Sequence, residues 1–83
     1  TNDNDENFKL IFSRSILSIQ PAMNLAVIKC YPGTANAACI ALDNMHLLGA
    51  VGTIAGDDTI MCAIRTTEDT VAIMKRLRKI VEQ

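Results

Sequence analysis

Tryptophan is absent, tyrosine occurs once and phenylalanine twice, so aromatic residues make up only 4% of the 83 residues. Yet 49% of the chain is apolar, and Ala, Ile, Leu, Val, Met and Cys supply that content. Histidine is almost missing as well. His46 is the sole one, no Ser or Cys stands in an activating context beside it, and nucleophilic hydrolysis is disfavoured accordingly. His46 reads instead as a helix-end residue. No excess of positive charge exists either: 8 Lys and Arg against 9 Asp and Glu give a net charge of -1. That is not the footprint of a nucleic-acid-binding domain, so contact with DNA would fall to a part not present in this sequence. No run approaches the ~20 apolar residues that span a bilayer, and no signal-peptide pattern opens the chain. A cytoplasmic protein with no membrane partner is expected.

Cysteines are few, odd in number (Cys30, Cys39 and Cys62) and share no CxxC spacing. They read as reduced core thiols rather than as a disulfide frame or zinc site. A chain of 83 residues makes one domain with a marginal core. It has too little interior for its apolar content, so apolar surface should stay exposed. The simplest cover is another copy, and homo-oligomerisation is expected on composition alone.

Residues 1–7 are polar and acidic, and the chain does not begin with Met. They read as a linker, or the cut end of a longer protein, with little structure of their own. Phe8, Leu10 and Phe12 alternate with Lys9, Ile11 and Ser13, which fits either an amphipathic lead-in or a first strand. Ser15 to Gln20 and Leu25 to Tyr31 read as strands joined by a turn, with Pro21 presetting φ and Asn24 tolerating a left-handed backbone. Pro32-Gly33 ends the second strand. The spacing of Ala35, Ala38, Leu42 and Met45 predicts a helix over Thr34 to Leu48 closed by Gly49. Asn36 and Asp43, seven apart, project from about the same side of it. Strands follow at Ala50 to Ala55 and Asp58 to Arg65, joined by Gly56-Asp57 in a II′ hairpin turn that needs φ > 0 at the glycine. Thr66 then caps a last helix with Asp69 three residues on, and Ile73, Leu77 and Ile80 form its buried stripe. The fold expected is a two-layer α+β sandwich of order β-β-α-β-β-α, an antiparallel-rich four-stranded sheet with both helices on one face.

The chemistry concentrates in Asp57 and Asp58, adjacent carboxylates in an apolar stretch, which repel each other and call for a compensating cation. Gly-Asp-Asp hairpins recur in template-directed polymerases, where carboxylates hold divalent metals, but such an enzyme needs a further Asp, basic residues and a far larger chain. A simple Mg²⁺ or Ca²⁺ site needs more oxygen ligands than Glu68 and Asp69 could add. An acidic tip standing in solvent is the plainest alternative. Against it stand the small neighbours Gly52, Thr53, Ala55 and Gly56, which leave backbone N–H and C=O groups accessible beside the carboxylates. That combination suits an organic cation with hydrogen-bonding groups, and a guanidinium pairs bidentately with a carboxylate.

The string Pro32-Gly33-Thr34-Ala35-Asn36-Ala37, then Ala41-Leu42-Asp43, then Val51-Gly52-Thr53-Ile54-Ala55-Gly56-Asp57-Asp58-Thr59-Ile60 resembles the C-terminal domain of bacterial arginine repressors. The run from Ser18 to Lys29 is similar too, so the likeness covers the chain from about Ser15 to its end. The resemblance implies a hexamer built as a dimer of trimers through this domain, residues 8–83, with L-arginine bound between the trimers as corepressor and no metal. It implies operator DNA bound only by a separate N-terminal winged helix-turn-helix domain, control of arginine metabolism genes, and no enzymatic activity. Carried over residue by residue, the ligand contacts fall on Asn36, Asp43, the backbone around Ala55, Asp57 and Asp58, with Gly52, Thr53 and Gly56 supporting the turn. Asp57 is the expected guanidinium partner, reaching across from another subunit, and Asp58, Asp43 and Asn36 orient the α-amino and α-carboxylate end. One departure stands out. The position of Asn36 often holds Gln or His in that family, and the shorter Asn implies a lost or water-bridged contact. The alternative functions are a regulatory domain sensing another amino acid and a purely structural oligomerisation domain.

Overall fold

A computed structural model describes residues 2–82; Thr1, part of the expected lead-in, and Gln83 lie outside the described residues. The elements run α1 (Asn2–Ser15), β1 (Ile16–Ala22), β2 (Leu25–Cys30), α2 (Ala35–Asp43), β3 (Ala50–Ala55), β4 (Thr59–Ile64) and α3 (Thr67–Val81). The strands form one antiparallel sheet in the order β1-β2-β4-β3. The α+β class and the antiparallel sheet are as the sequence predicts.

Alternation along the strands gives the sheet two unlike faces. Ala26, Ile28 and Cys30 of β2 are buried, as are Ile60, Cys62 and Ile64 of β4. The registers Ile28↔Ile60 and Ala26↔Cys62 put these residues side by side. α2 and α3 cover that face, contributing Ala35, Ala38, Cys39, Ala41 and Leu42 from one and Ile73, Met74, Leu77 and Ile80 from the other. The opposite face carries Leu25, Val27 and Lys29 in register with Ala63, Met61 and Thr59, and Ile54 beside Met61. No element of the chain covers this side among the described residues. Ile54 remains 71% exposed and Met61 41%.

α3 starts as the sequence predicts, with Thr66 accepting a hydrogen bond from the Asp69 amide at 3.0 Å. Glu68 and Asp69 in the first turn and Arg78 and Lys79 in the last suit the helix dipole. Other expectations need correction. The polar lead-in is helical from Asn2. Phe8 and Phe12 are four apart, and the fully buried Phe12 joins the core, so helical spacing prevails over the alternation of Phe8, Leu10 and Phe12. α1 packs on α2 and α3, adding a third helix to the two expected. α2 ends at Asp43, before the predicted Leu48. The Asn44 side chain donates to the Ile40 carbonyl at 2.8 Å, and His46 takes a left-handed φ of 50° that turns the chain. Gly49, expected as the helix cap, instead turns the chain into β3 at φ 93°. In the first hairpin β1 continues through Pro21 and Ala22. Pro21 is tolerated because β1 is an edge strand, and Met23 rather than Asn24 takes the left-handed φ of 57°. Asn24 instead binds the Ile64 carbonyl through Nδ2 at 3.2 Å.

Candidate functional site

The loop between β3 and β4 holds three residues, Gly56, Asp57 and Asp58. The predicted two-residue II′ turn is not formed, and Gly56 lies outside the left-handed region. Tertiary hydrogen bonds explain the difference. The Gly56 amide donates to the Thr59 carbonyl at 2.7 Å, the Cys30 amide to the Asp58 carbonyl at 2.7 Å, and the Gly33 amide to the Asp57 carbonyl at 3.1 Å. The loop backbone is thereby clamped by the end of β2 and the Pro32-Gly33 turn.

The two carboxylates differ in their company. Asp58 is half exposed and lies 3.8 Å from Lys29 Nζ. It also accepts from the Thr59 hydroxyl at 2.9 Å, and Lys29 donates to that hydroxyl at 2.9 Å. Lys29 is thus an internal counter-ion that the sequence reading did not supply. It becomes a neighbour only through the register Lys29↔Thr59, which no local pattern encodes. Asp57 is exposed and has no ion pair or side-chain hydrogen bond among the described residues. One carboxylate is therefore matched within the chain, and the other faces solvent without a charged partner among the described residues. An exposed pair such as Lys29–Asp58 contributes only about 0.2–1 kcal/mol, so Asp58 too stays open to exchange of partners.

α2 connects this loop to a second group of candidate residues. Its start follows the Gly33 turn that binds Asp57, and the exposed Asn36 lies in its first turn. Its end carries Asp43, about 10 Å further along the axis at 1.5 Å per residue. There the Thr53 hydroxyl of β3 donates to Asp43 Oδ1 at 2.5 Å, and the Cys39 thiol lies 3.1 Å from the same hydroxyl oxygen. Ala55, at the last position of β3, is half-buried with its backbone paired to Ile60. The structure thus brings Thr53 to Asp43, and the start of α2 to Asp57, but does not close the candidate residues around one cavity. A cleft of about 90 Å³ is lined by Asp43, Gly52 and Thr53 along with His46, Val51 and Cys62. Asp57 and Asp58 are not in it. Pockets that enclose small molecules start near roughly 300 Å³, and this cleft is well below that size.

All three thiols are buried and unpaired. Burial pushes the Cys30 thiol above its ordinary value of 9.0, helped by the Asp58 charge. Cys62 rises for the same first reason, with Asp43 next. Among the described residues no three His, Cys, Asp or Glu side chains converge to hold a metal ion, and no helix is long and apolar enough to cross a membrane.

The sequence model of the family described as "Arginine repressor, C-terminal domain" matches residues 12–79. The chain belongs to that family. It is 45% identical over 76 residues to an arginine repressor of Lachnoclostridium phytofermentans, covering 92% of this chain and 50% of the relative. An arginine repressor of Lachnospira eligens is 42% identical over 77 residues, covering 93% and 51%. One from Clostridium tetani is 38% identical over 84 residues, covering 99% and 55%. The chain spans about half the length of the curated relatives it matches. Their shared name is that of a regulator, not of an enzyme.

Proposed function

We propose that this domain is the arginine-sensing and assembly module of a cytoplasmic transcriptional regulator. It binds L-arginine as corepressor, without a metal, at the interface of two trimers, and so drives formation of a hexamer. Operator DNA is contacted by a part of the protein outside this chain, and the regulated genes are those of arginine metabolism.

The observation that carries the reading is the unmatched Asp57 carboxylate on a backbone held in place by Cys30 and Gly33. A guanidinium supplies a planar set of donors to such a carboxylate, and in this reading Asp58, Asp43 and Asn36 take the ligand's α-amino and α-carboxylate end. Two further features support it. The open face of the sheet presents Ile54 and Met61 to solvent, a surface suited to another copy. The cleft beside Asp43 is too small to hold an amino acid alone, so a second copy completes the site.

Assembly and ligation are then linked. Acidic loops brought together repel one another, arginine cations neutralise them, and each process promotes the other. The output is effective concentration, several DNA-binding domains delivered together onto paired operator sites. Sedimentation velocity tests this. L-Arginine should raise the hexamer fraction and L-citrulline, which keeps the shape but loses the charge, should not. Asp57→Asn should lose the response while keeping the wild-type circular dichroism. Equal action of citrulline and arginine would sink the carboxylate–guanidinium account. A response to a different amino acid would point to another sensor, and an indifferent oligomer to a structural module.

A further inference from the structure

Asp43 lies at the exposed C-terminal end of α2, where a carboxylate ordinarily samples several rotamers. Here it does not stand alone. The Thr53 side chain comes from β3, across the cleft, and its Oγ1 is 2.5 Å from Asp43 Oδ1. Cys39, one helical turn before Asp43 on α2 and 8% exposed, places Sγ 3.1 Å from the same Thr53 oxygen. The chemistry fixes the direction of both bonds. An ionised carboxylate only accepts, so the single hydroxyl proton of Thr53 goes to Asp43. The hydroxyl oxygen then has only lone pairs left to offer, and the Cys39 S–H donates to it.

We infer that Thr53 and Cys39 are positioning residues for Asp43, forming a thiol–hydroxyl–carboxylate relay that pins Oδ1 and leaves Oδ2 to accept from the ligand's ammonium group. Oδ2 has no partner among the described residues. Because the relay ties α2 to the edge strand β3, it sets the carboxylate relative to the strand that carries Ala55 and the acidic loop. The thiol donor keeps the hydroxyl from turning its proton elsewhere, a role that a residue merely filling core space would not have. Hydrogen bonds to a charged group are the stronger kind and lose affinity when removed. The inference rests on the proposed role of Asp43 in binding L-arginine.

Two measurements on the chain test it. In calorimetry Thr53→Val, which keeps the shape and removes the proton, should weaken L-arginine binding roughly tenfold or more. Thr53→Ser should return it to within about threefold of wild type, and Cys39→Ala should give a smaller loss than Thr53→Val. In an Asp43→Asn background, Thr53→Val should have clearly less effect, since coupled residues are non-additive. Undiminished binding by Thr53→Val, no rescue by Ser, or an equal loss in both backgrounds would overturn the relay. The second readout does not depend on ligand. The infrared S–H stretch that disappears in Cys39→Ala should move to higher frequency in Thr53→Val, and an unmoved band would overturn the relay. If the unsubstituted chain binds no arginine, the sensor reading fails, and the S–H band still decides whether the relay exists.

Discussion

Gly49 turns the chain into β3 at φ 93°, and a Cβ built there would lie 2.7 Å from the Asp69 carboxylate at the start of α3. Gly49→Ala meets a backbone penalty and a steric one together. A loss of about 2 kcal/mol in urea denaturation is expected. Gly56, in the acidic loop, is a useful contrast. Its φ is outside the left-handed region and the nearest atom to an added Cβ is the Thr59 carbonyl oxygen at 3.7 Å, so Gly56→Ala should stay within about 0.5 kcal/mol of wild type in the same assay. The buried thiols set a pH dependence. Cys30 and Cys62 are held protonated in the fold above the ordinary 9.0, whereas the unfolded chain ionises them near that value. Above it the unfolded state binds fewer protons, so stability falls as pH rises. Under reducing conditions the urea midpoint should be lower at about pH 10 than at about pH 8. Cys62→Ala should make that drop smaller even as it lowers both midpoints.

Elements whose signals are local were readable in the sequence. α3 is the clearest, since Thr66 caps it and Ile73, Leu77 and Ile80 mark its buried side at helical spacing. β2 follows from its alternation and β4 from the short apolar run after the acidic loop. α1 was not readable. Phe8, Leu10 and Phe12 fit period two as well as a helix, and what decides is the burial of Phe12 against α2 and α3, a tertiary fact. Phe12→Ala should therefore cost about 3–5 kcal/mol, measured by thermal or urea unfolding. A value below about 1 kcal/mol would mean that α1 is not part of the core. The candidate site divides in the same way. Asp57 and Asp58 stand out as adjacent charges in an apolar stretch. The turn that joins β3 to β4 departs from the expected II′ form because its geometry is set by Cys30 and Gly33, roughly 25 residues earlier. Lys29 and the Thr53–Asp43 bond are invisible for the same reason. Cys39 and Asp43 are four apart on one helix, so their adjacency was available, but only Thr53 gives it a purpose. Both edge strands also carry a bulge, at Leu17 in β1 and Val51 in β3, which interrupts the ladder where another sheet could otherwise add to it.

For the whole molecule the decisive contrast is between the two faces of the sheet. One is covered by α2 and α3; the other offers Val27, Met61 and Ile54 in a row across three strands. If copies of the chain meet there, Ile54→Asp should shift sedimentation to smaller species at equal concentration while leaving the far-ultraviolet circular dichroism unchanged. Unaltered sedimentation would place the self-contact elsewhere. The clamped acidic loop has a consequence of a different kind. With the Asp57 and Asp58 carbonyls already bound by the Gly33 and Cys30 amides, the main chain that presents the carboxylates is ordered when the domain folds, not when a ligand arrives. If L-arginine binds at Asp57 as proposed, recognition there loses little conformational entropy, and the barrier to capture is desolvation rather than rearrangement. The Cys30 and Gly33 amides become reporters of the site, and their hydrogen exchange should be slow before any ligand is added.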